Sequence, residues 1–445
     1  MPVAHRTASP AALPPSSPLP AAAQTAWMWL DPLRMLERMR ARHGPRFTVR
    51  ALAHPPLVFL CDPADAAAVL AAPPDALAPG VGGRAIMPIV GERSFMLADG
   101  DAHRRGRGRL AQLYTAAATA RHGELIRTIA EREIASWPTD APLALHPRLR
   151  ALTLRVILAT LLGDDVEQRA PELHAQLLAM LSIADGPLLS LPPARRLPGA
   201  HARWRRFQRE RDAVDATVRR LIEERRADTP AARETDALAL LLDTHDEPLA
   251  PSAVRDSLMS LILAGHETTS AELAWTFQLL AHDARVQHKL QAEIDAGGGA
   301  YLTATIQEAL RHRPVFLFAI PRAVRRPIEI GRWTHAPPSH LLVCLYLLHH
   351  DPALFAEPQR FMPERFVHAQ PDGAAWLPWG GGRKRCLGWR LAFLELQTIV
   401  AATLARYTLE PAHPAPERPR WRSVIVTPHR GCRVILRRRR TTSAP

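Results

Sequence analysis

The chain has 445 residues, with 57 Lys and Arg against 43 Asp and Glu, a formal charge of +14 and a hydrophobic fraction of 47%. This excludes a disordered polar chain, and the length exceeds the roughly 250–300 residues at which single cores usually stop growing, so two domains or one large helical domain are the alternatives. The excess charge is almost all arginine, Lys289 and Lys384 being the only lysines; it lies along helical stretches without interleaved aromatics or a recognised nucleic-acid motif, and no nucleic-acid partner is expected.

In chain order, residues 1–25 are rich in Ala and Pro and read as a disordered leader. Pro32 to Arg42 predicts a short helix, and "RFTVRAL" and "PLVFLCD" predict two strands of a small sheet. From about Asp101 the pattern is helical. "LRALTLRVILATLLG", "AVDATVRRLIEERRA" and "SAVRDSLMSLILAGHETTSAELAWTFQLLAHD" all place apolar residues at i, i+3 and i+4. Pro and Gly clusters at Asp185 to Gly199 and Asp246 to Ser252 interrupt it, and past Pro314 short β-like pieces such as "AVRRPIEIGRW" and "WRSVIVTPHRGCRVIL" appear. The longest apolar run, Leu341 to Leu348, is well short of the about 18 residues that span a bilayer, so no membrane anchor is expected. The fold class read from this pattern is mainly α: one large helical domain over residues 26–436, a small β-sheet region contributed by both ends, and a basic tail at 437–445.

Cys61, Cys344, Cys386 and Cys432 are scattered without a CxxC pair, which speaks against a zinc site or a disulfide framework. Cys386 stands in "LPWGGGRKRCLGWRLAF", between glycines 380–382 and a helical apolar stretch. The glycines permit a tight turn, and a thiolate at a helix N-terminus is stabilised by unpaired amides and the helix dipole. On these residues alone Cys386 is either an anionic ligand or a small hydrophobe at a Gly-rich turn.

The pattern Trp379-Gly380-x-Gly382-x-Lys384-x-Cys386-x-Gly388 resembles the haem-binding loop of the cytochromes P-450, the haem-thiolate monooxygenases, which reads F-G-x-G-x-[RH]-x-C-x-G. Trp379 departs from the usual Phe but keeps an aromatic wall; Lys384 departs from Arg or His, keeping a cation and losing the bidentate fork. "LAGHETTS" resembles the family's oxygen-activation motif at Ala264, Gly265, His266, Glu267, Thr268 and Thr269. Gly and two Thr within a helix suggest a local opening of its hydrogen-bond ladder; a polar notch between packed helices is the alternative. The resemblance implies that Glu267 and Thr268 deliver protons and that Ala264 lets a porphyrin pack closely. "IQEALRHRP" places Glu308 and Arg311 one turn apart, by spacing alone an ordinary surface ion pair. With "HHDPALFAEPQRFMPERF" behind it, the resemblance implies that Arg365 joins them in a buried network supporting the haem face. It also implies that His103 and Arg107 of "DGDAHRRGRGRL" and Arg322 of "AIPRAV" bind haem propionates, against the alternative of a solvated basic helix.

Taken together, the resemblance implies a soluble bacterial-type enzyme holding haem b, with Cys386 as axial ligand and Trp379, Gly380, Gly382, Lys384 and Gly388 shaping the loop. It would insert one oxygen atom of dioxygen into a C–H bond of a lipophilic small molecule, by hydroxylation or epoxidation, in bacterial secondary or lipid metabolism. The expected pocket residues are Met87, Ile89, Leu263, Val315, Phe316 and Phe318, with the stretches Pro187 to Pro198 and Thr427 to Gly431. No GxGxxG follows a strand, so electrons are expected from NAD(P)H through a separate ferredoxin reductase and ferredoxin, the latter docking on Arg104, Arg105, Arg383, Lys384, Arg385 and Arg390. A cytoplasmic monomer is expected. Two other readings stand beside this one: a peroxide-driven or rearranging haem-thiolate enzyme, which would not need the Glu267–Thr268 pair, and a haem sensor or carrier without turnover.

Overall fold

A computed structural model describes residues 13–184, 198–227, 236–242, 249–369, 373–422 and 424–439. Its axis is the central helix Pro251–His282, which starts on a proline at the first helical position and ends where Asp283 caps the next helix, Ala284–Asp295, accepting 3.0 Å from the Val286 N–H. Its apolar residues run nearly all round the barrel of the helix, the mark of an interior helix. It packs chiefly on the helix Leu145–Leu162, and also on Trp389–Arg406, which in turn packs on Ala116–Ala135. Gly265 has a packing reason: a Cβ there would lie 2.7 Å from Ile157 Cδ1 of the Leu145–Leu162 helix.

The β-structure is small and non-local. Five strands run in the order Arg46–Val49, Leu57–Leu60, His340–Val343, Arg322–Val324, Leu77–Ala78. Leu57–Leu60 pairs in parallel with His340–Val343, Leu60 opposite Val343, and every residue of Leu57–Leu60 is buried. That explains why "LVFL" is continuously apolar and not alternating. A second sheet joins Pro142–Ala144, Arg433–Arg438 and Tyr407–Pro411, and a hairpin pairs Pro419–Arg422 with Ile425–Pro428.

Two sequence boundaries shift, and one expected pocket segment lies outside the described residues. The leader boundary at residue 25 falls inside the helix Ala21–Leu30, whose Gln24 accepts from the Arg50 N–H and whose Thr25 accepts from the Leu52 N–H, while Ser16 bridges Thr48. The tail boundary at 437 falls inside the last strand, where Arg437 pairs with Glu410 and Arg439, just beyond the strand, with Asp295. The proline-rich pocket segment Pro187 to Pro198 lies outside the described residues except for Pro198, which opens the helix Pro198–Ala227. Among the described residues no helix is long and apolar enough to cross a membrane.

A buried histidine cluster fixes the helix Ala300–His312 to the short helix Leu345–His349. The His350 ring lies 4.3 Å from Tyr346 and 5.7 Å from His312. His349 Nε2 accepts 2.9 Å from the Leu377 N–H, which requires the neutral tautomer with its proton on Nδ1. Burial first, then neighbouring basic groups, pushes His312 down to about 2 and His350 to about 3, and holds His349 well below the ordinary range. Below about pH 6.5 the unfolded chain takes up protons at these positions and the folded chain does not, so stability falls with pH through that window. Each such histidine should cost about 2 kcal/mol at pH 5. Thermal unfolding of the full chain should therefore show Tm dropping progressively from pH 7 to pH 5. A Tm that stays constant over that range contradicts the account.

Candidate active site

Cys386 is the one exposed cysteine; Cys61, Cys344 and Cys432 are buried. The loop carrying it is clamped from both ends. The Cys386 N–H donates 2.9 Å to the Trp379 carbonyl, and the Gly388 N–H donates to the Cys386 sulfur. Gly380 and Gly382 take φ of +64° and +61°, and a Cβ on Gly382 would stand 2.0 Å from the Leu70 carbonyl oxygen, so no other residue fits there. The following helix begins at Trp389, three residues past the cysteine, with Gly388 as its cap. Trp379 supplies the expected aromatic wall and meets Phe393 edge-on at 6.5 Å. Crowding by protein pushes the free thiol pKa up, while the Gly388 N–H, Arg107 and Arg385 pull it down. A bound metal ion would complete that deprotonation.

Beside the sulfur, four basic side chains from three elements converge. His103 is buried and pushed down to about 4 by burial and then by Lys384, Arg107 and Arg322. Burial lowers Arg322 to about 10 and Lys384 to about 8, with Asp99 the acid that opposes the shift in both. Asp99 is itself engaged by the Gly80 N–H and Arg325. Lys384 donates to the carbonyls of Met96 (2.9 Å) and Ala98 (2.7 Å), which explains how a lysine serves where the family has a fork: two of its three donors pin the neighbouring loop and one remains. Arg107 donates 2.7 Å to the Arg385 carbonyl. This is a partly buried excess of positive charge, and it fits a ligand that brings carboxylates.

On the central helix Ala264 is exposed and Thr268 half-buried, one turn apart on one open face, while His266, Glu267, Thr269 and Ser270 are buried. The helix Pro251–His282 runs through this motif as a single element, and Thr268 Oγ1 donates 2.6 Å to the Ala264 carbonyl. Gly265 packs against Ile157 of the Leu145–Leu162 helix. Glu267 points the other way. Its Oε1 takes Arg150 Nη2 at 2.5 Å and Nε at 3.1 Å, and its Oε2 lies 3.7 Å from Arg422 Nε. Burial alone would raise its pKa, but His266, Arg150 and Arg422 hold it well below the carboxylate range. His266, fully buried and itself pushed down, is neutral, so the two guanidiniums carry that effect.

Glu308, Arg311 and Arg365 do meet. Both Glu308 and Arg311 have fully buried side chains with contacts of 2.7 and 2.8 Å; Arg365 Nε lies 3.1 Å from the same carboxylate, and the Met362 N–H donates to it at 2.8 Å. Arg311 spends its remaining donors on the carbonyls of His349, Pro358 and Arg360. Of the expected pocket residues, Met87, Leu263 and Phe316 keep open surface. Ile89 and Val315 are instead closed into the core, Val315 against Ala271 and Ile425, and Phe318 is half-buried edge-on to Phe59 at 5.6 Å. Sequence reasoning missed Arg150 and Arg422. The signal for Arg150 was present: an arginine on a helix whose other faces are apolar must find a buried partner.

Among the described residues no group of His, Cys, Asp and Glu could hold a metal ion by itself. One sulfur beside a cluster of cations therefore suits a metal that arrives in an anionic macrocycle, and the residues fit haem: a single sulfur ligand, donors for two propionates, and an open helix face bearing Ala264. The fold and this arrangement define a haem-thiolate oxidoreductase. The cytochrome P-450 family model matches residues 13–436. Two relatives from Mycobacterium tuberculosis, named cytochrome P-450 135B1 and cytochrome P-450 138, are 32% identical over 441 residues and 33% over 444; each alignment covers 97% of this chain, and 93% and 99% of the relatives. The solved structure of a retinoic acid bound cyanobacterial CYP120A1 superimposes with a TM-score of 0.85 at 21% identity, over 97% of this chain and all of the other. The chain belongs to the cytochrome P-450 family and is a haem-dependent monooxygenase.

Replacing Glu308 by Gln leaves the Arg311 guanidinium buried without its counter-charge, a loss of about 3–5 kcal/mol. Urea unfolding of the haem-loaded Glu308→Gln protein should show that shift. A loss below about 1 kcal/mol, the scale of a surface pair, would place the network outside the stabilising core.

Proposed function

We propose that Cys386 is the axial thiolate ligand of haem b and that the protein inserts one oxygen atom of dioxygen into a C–H bond of a lipophilic small molecule, by hydroxylation or epoxidation. The observation that carries this reading is Cys386, the one exposed cysteine, in a loop beside the converging His103, Arg107, Arg322 and Lys384. The haem, when bound, supplies dioxygen activation; the thiolate pushes electron density toward the iron. Arg107, Arg322, Lys384 and His103 would hold the two propionates. Trp379, Gly380, Gly382 and Gly388 set the position of the sulfur, and Ala264 leaves room for the macrocycle.

Thr268 holds the proton nearest the reacting face. Its hydroxyl rests on the Ala264 carbonyl and turns from there to donate into the pocket. Glu267, on the other side of the helix and held ionised by Arg150 and Arg422, serves as a carboxylate that passes protons along and not as a store of them. The apolar residues with open surface, Met87, Leu263 and Phe316, exclude water and favour a lipophilic substrate. Glu308, Arg311 and Arg365 support the loop side of the fold and take no part in the chemistry.

Electrons come from NAD(P)H through a ferredoxin reductase and a ferredoxin. Arg385 and Arg390 both stack on Trp389, at 5.1 and 4.5 Å, at the start of the cysteine helix; with Arg104, Arg105 and Arg383 they make a basic face suited to an acidic protein. The haem-loaded protein, with both redox proteins added, should consume NAD(P)H in a substrate-dependent way across a lipophilic library. Thr268→Ala should keep substrate binding and electron use while product per electron pair falls several-fold and peroxide rises. If product per electron pair is unchanged in Thr268→Ala, Thr268 is not the donor; if no substrate accelerates electron use in the unaltered protein, the monooxygenase assignment to this site fails.

A further inference from the structure

Two contacts from the helix Gly100–Ala111 and the turn behind it bracket Cys386. Arg107 of that helix donates 2.7 Å to the Arg385 carbonyl, immediately before the cysteine. Further along, Tyr114 closes the short 3-10 helix Gln112–Tyr114 and lies against Gly388, just after the cysteine. One segment thus touches the loop on both sides of the sulfur. Tyr114 is 7% exposed and packs with Leu113 in the largest core cluster. Its neighbour Thr115 accepts 3.2 Å from the Ala118 N–H and caps the helix Ala116–Ala135, which packs on the cysteine helix Trp389–Arg406. Burial first, and then Cys386, push the Tyr114 phenol up, so the ring brings no charge.

Gly388 has a φ of −89°, a negative value open to residues other than glycine, so backbone freedom is not what this position needs. Space is. A Cβ on Gly388 would stand 3.3 Å from Tyr114 Cε1, 3.7 Å from Cδ1 and 3.8 Å from Cζ, and these are its three nearest atoms. The tyrosine ring fills the place a side chain would take, and it backs the peptide whose N–H donates to the Cys386 sulfur. Without the ring that peptide can relax into the gap, since a vacated core site collapses in part, and the amide then moves off the sulfur. Hydrogen bonds to a sulfur ligand draw charge from it and are among the levers that set the potential of a metal centre.

We propose that Tyr114 is a positioning residue for the thiolate: its ring holds the Gly388 amide on the Cys386 sulfur and so sets how strongly that sulfur donates to the haem iron. The inference rests on Cys386 being the axial ligand. Loss of the ring leaves the sulfur richer in electrons, which favours ferric over ferrous iron and lowers the reduction potential. The same electron density passes from ferrous iron into bound carbon monoxide and weakens its C–O bond.

The test is spectroelectrochemical titration of the haem-loaded full chain, with the infrared stretch of its ferrous carbon monoxide adduct, in the unaltered protein, Tyr114→Phe, Tyr114→Leu and Gly388→Ala. Tyr114→Phe keeps the ring and should match the unaltered protein in both. Tyr114→Leu should shift the one-electron equilibrium toward ferric iron by about tenfold, or about 59 mV, the net worth of about one hydrogen bond, and lower the C–O stretch. Gly388→Ala, whose methyl meets the ring, should move both in the same direction, and by less when Tyr114→Leu is already present. With the red-shifted Soret band retained, an unchanged potential in Tyr114→Leu, or a shift in Tyr114→Phe as large as in Tyr114→Leu, overturns the proposal. If Tyr114→Leu does not hold haem, Gly388→Ala decides: a lowered potential supports the contact and an unchanged one overturns it. A red-shifted band missing from the unaltered protein instead overturns the assignment of Cys386.

Discussion

The candidate site depends on a local imbalance of charge: one sulfur and one acid, Asp99, set among His103, Arg107, Arg322 and Lys384. Arg107, Arg322 and Lys384 crowded into a half-buried space repel one another and lose hydration, which the downward shifts at Lys384 and Arg322 register, and the same surroundings push His103 down to about 4 and keep it neutral. Such an arrangement is stable only when an anion completes it. A macrocycle carrying two carboxylates and a metal for the sulfur does both at once, and by binding only the folded chain it also stabilises the fold. The loop glycines, the Lys384 bonds to Met96 and Ala98, and the Trp379–Cys386 hydrogen bond all serve to keep that imbalance in one place.

The opposite side of the central helix solves a different problem. Glu267 is buried, and Arg150 and Arg422 keep it ionised there, whereas Glu272, one turn further along, is buried without a counter-charge and is pushed well up. Two carboxylates on one helix thus sit in opposite protonation states because one faces guanidiniums and the other does not. Ala264 and Thr268 remain open on the other face, so the helix separates a guanidinium-paired carboxylate from the open face by geometry alone.

Much of this was legible in the sequence. The Cys386 loop carries its meaning in residue types at fixed short spacing, and the central helix announces itself by length and by apolar residues on every face. Glu308 and Arg311 were legible as a pair, but their burial was not, since spacing on a helix says nothing of what covers it. The partners of Glu267 could not be read: Arg150 lies 117 residues away, and only the packing of two helices brings them together. The same limit explains the pocket. "IMPIV" and "VFLFAI" are equally apolar throughout, so hydrophobicity could not tell Met87 and Phe316, which stay open, from Ile89 and Val315, which close into the core. The N-terminal boundary moved because Gln24 and Thr25 accept from the Arg50 and Leu52 amides just past the strand Arg46–Val49, a tertiary use that an Ala- and Pro-rich composition hides.

The most direct measurement is the ferrous carbon monoxide spectrum of the haem-loaded protein beside that of Cys386→His. The account predicts the red-shifted Soret band of a thiolate-ligated adduct in the unaltered protein, and its replacement by the short-wavelength band of a histidine-ligated haem in the variant, with haem retained by the basic cluster. A red-shifted band that survives in Cys386→His, or that is missing from the correctly folded unaltered protein, would contradict the assignment of Cys386.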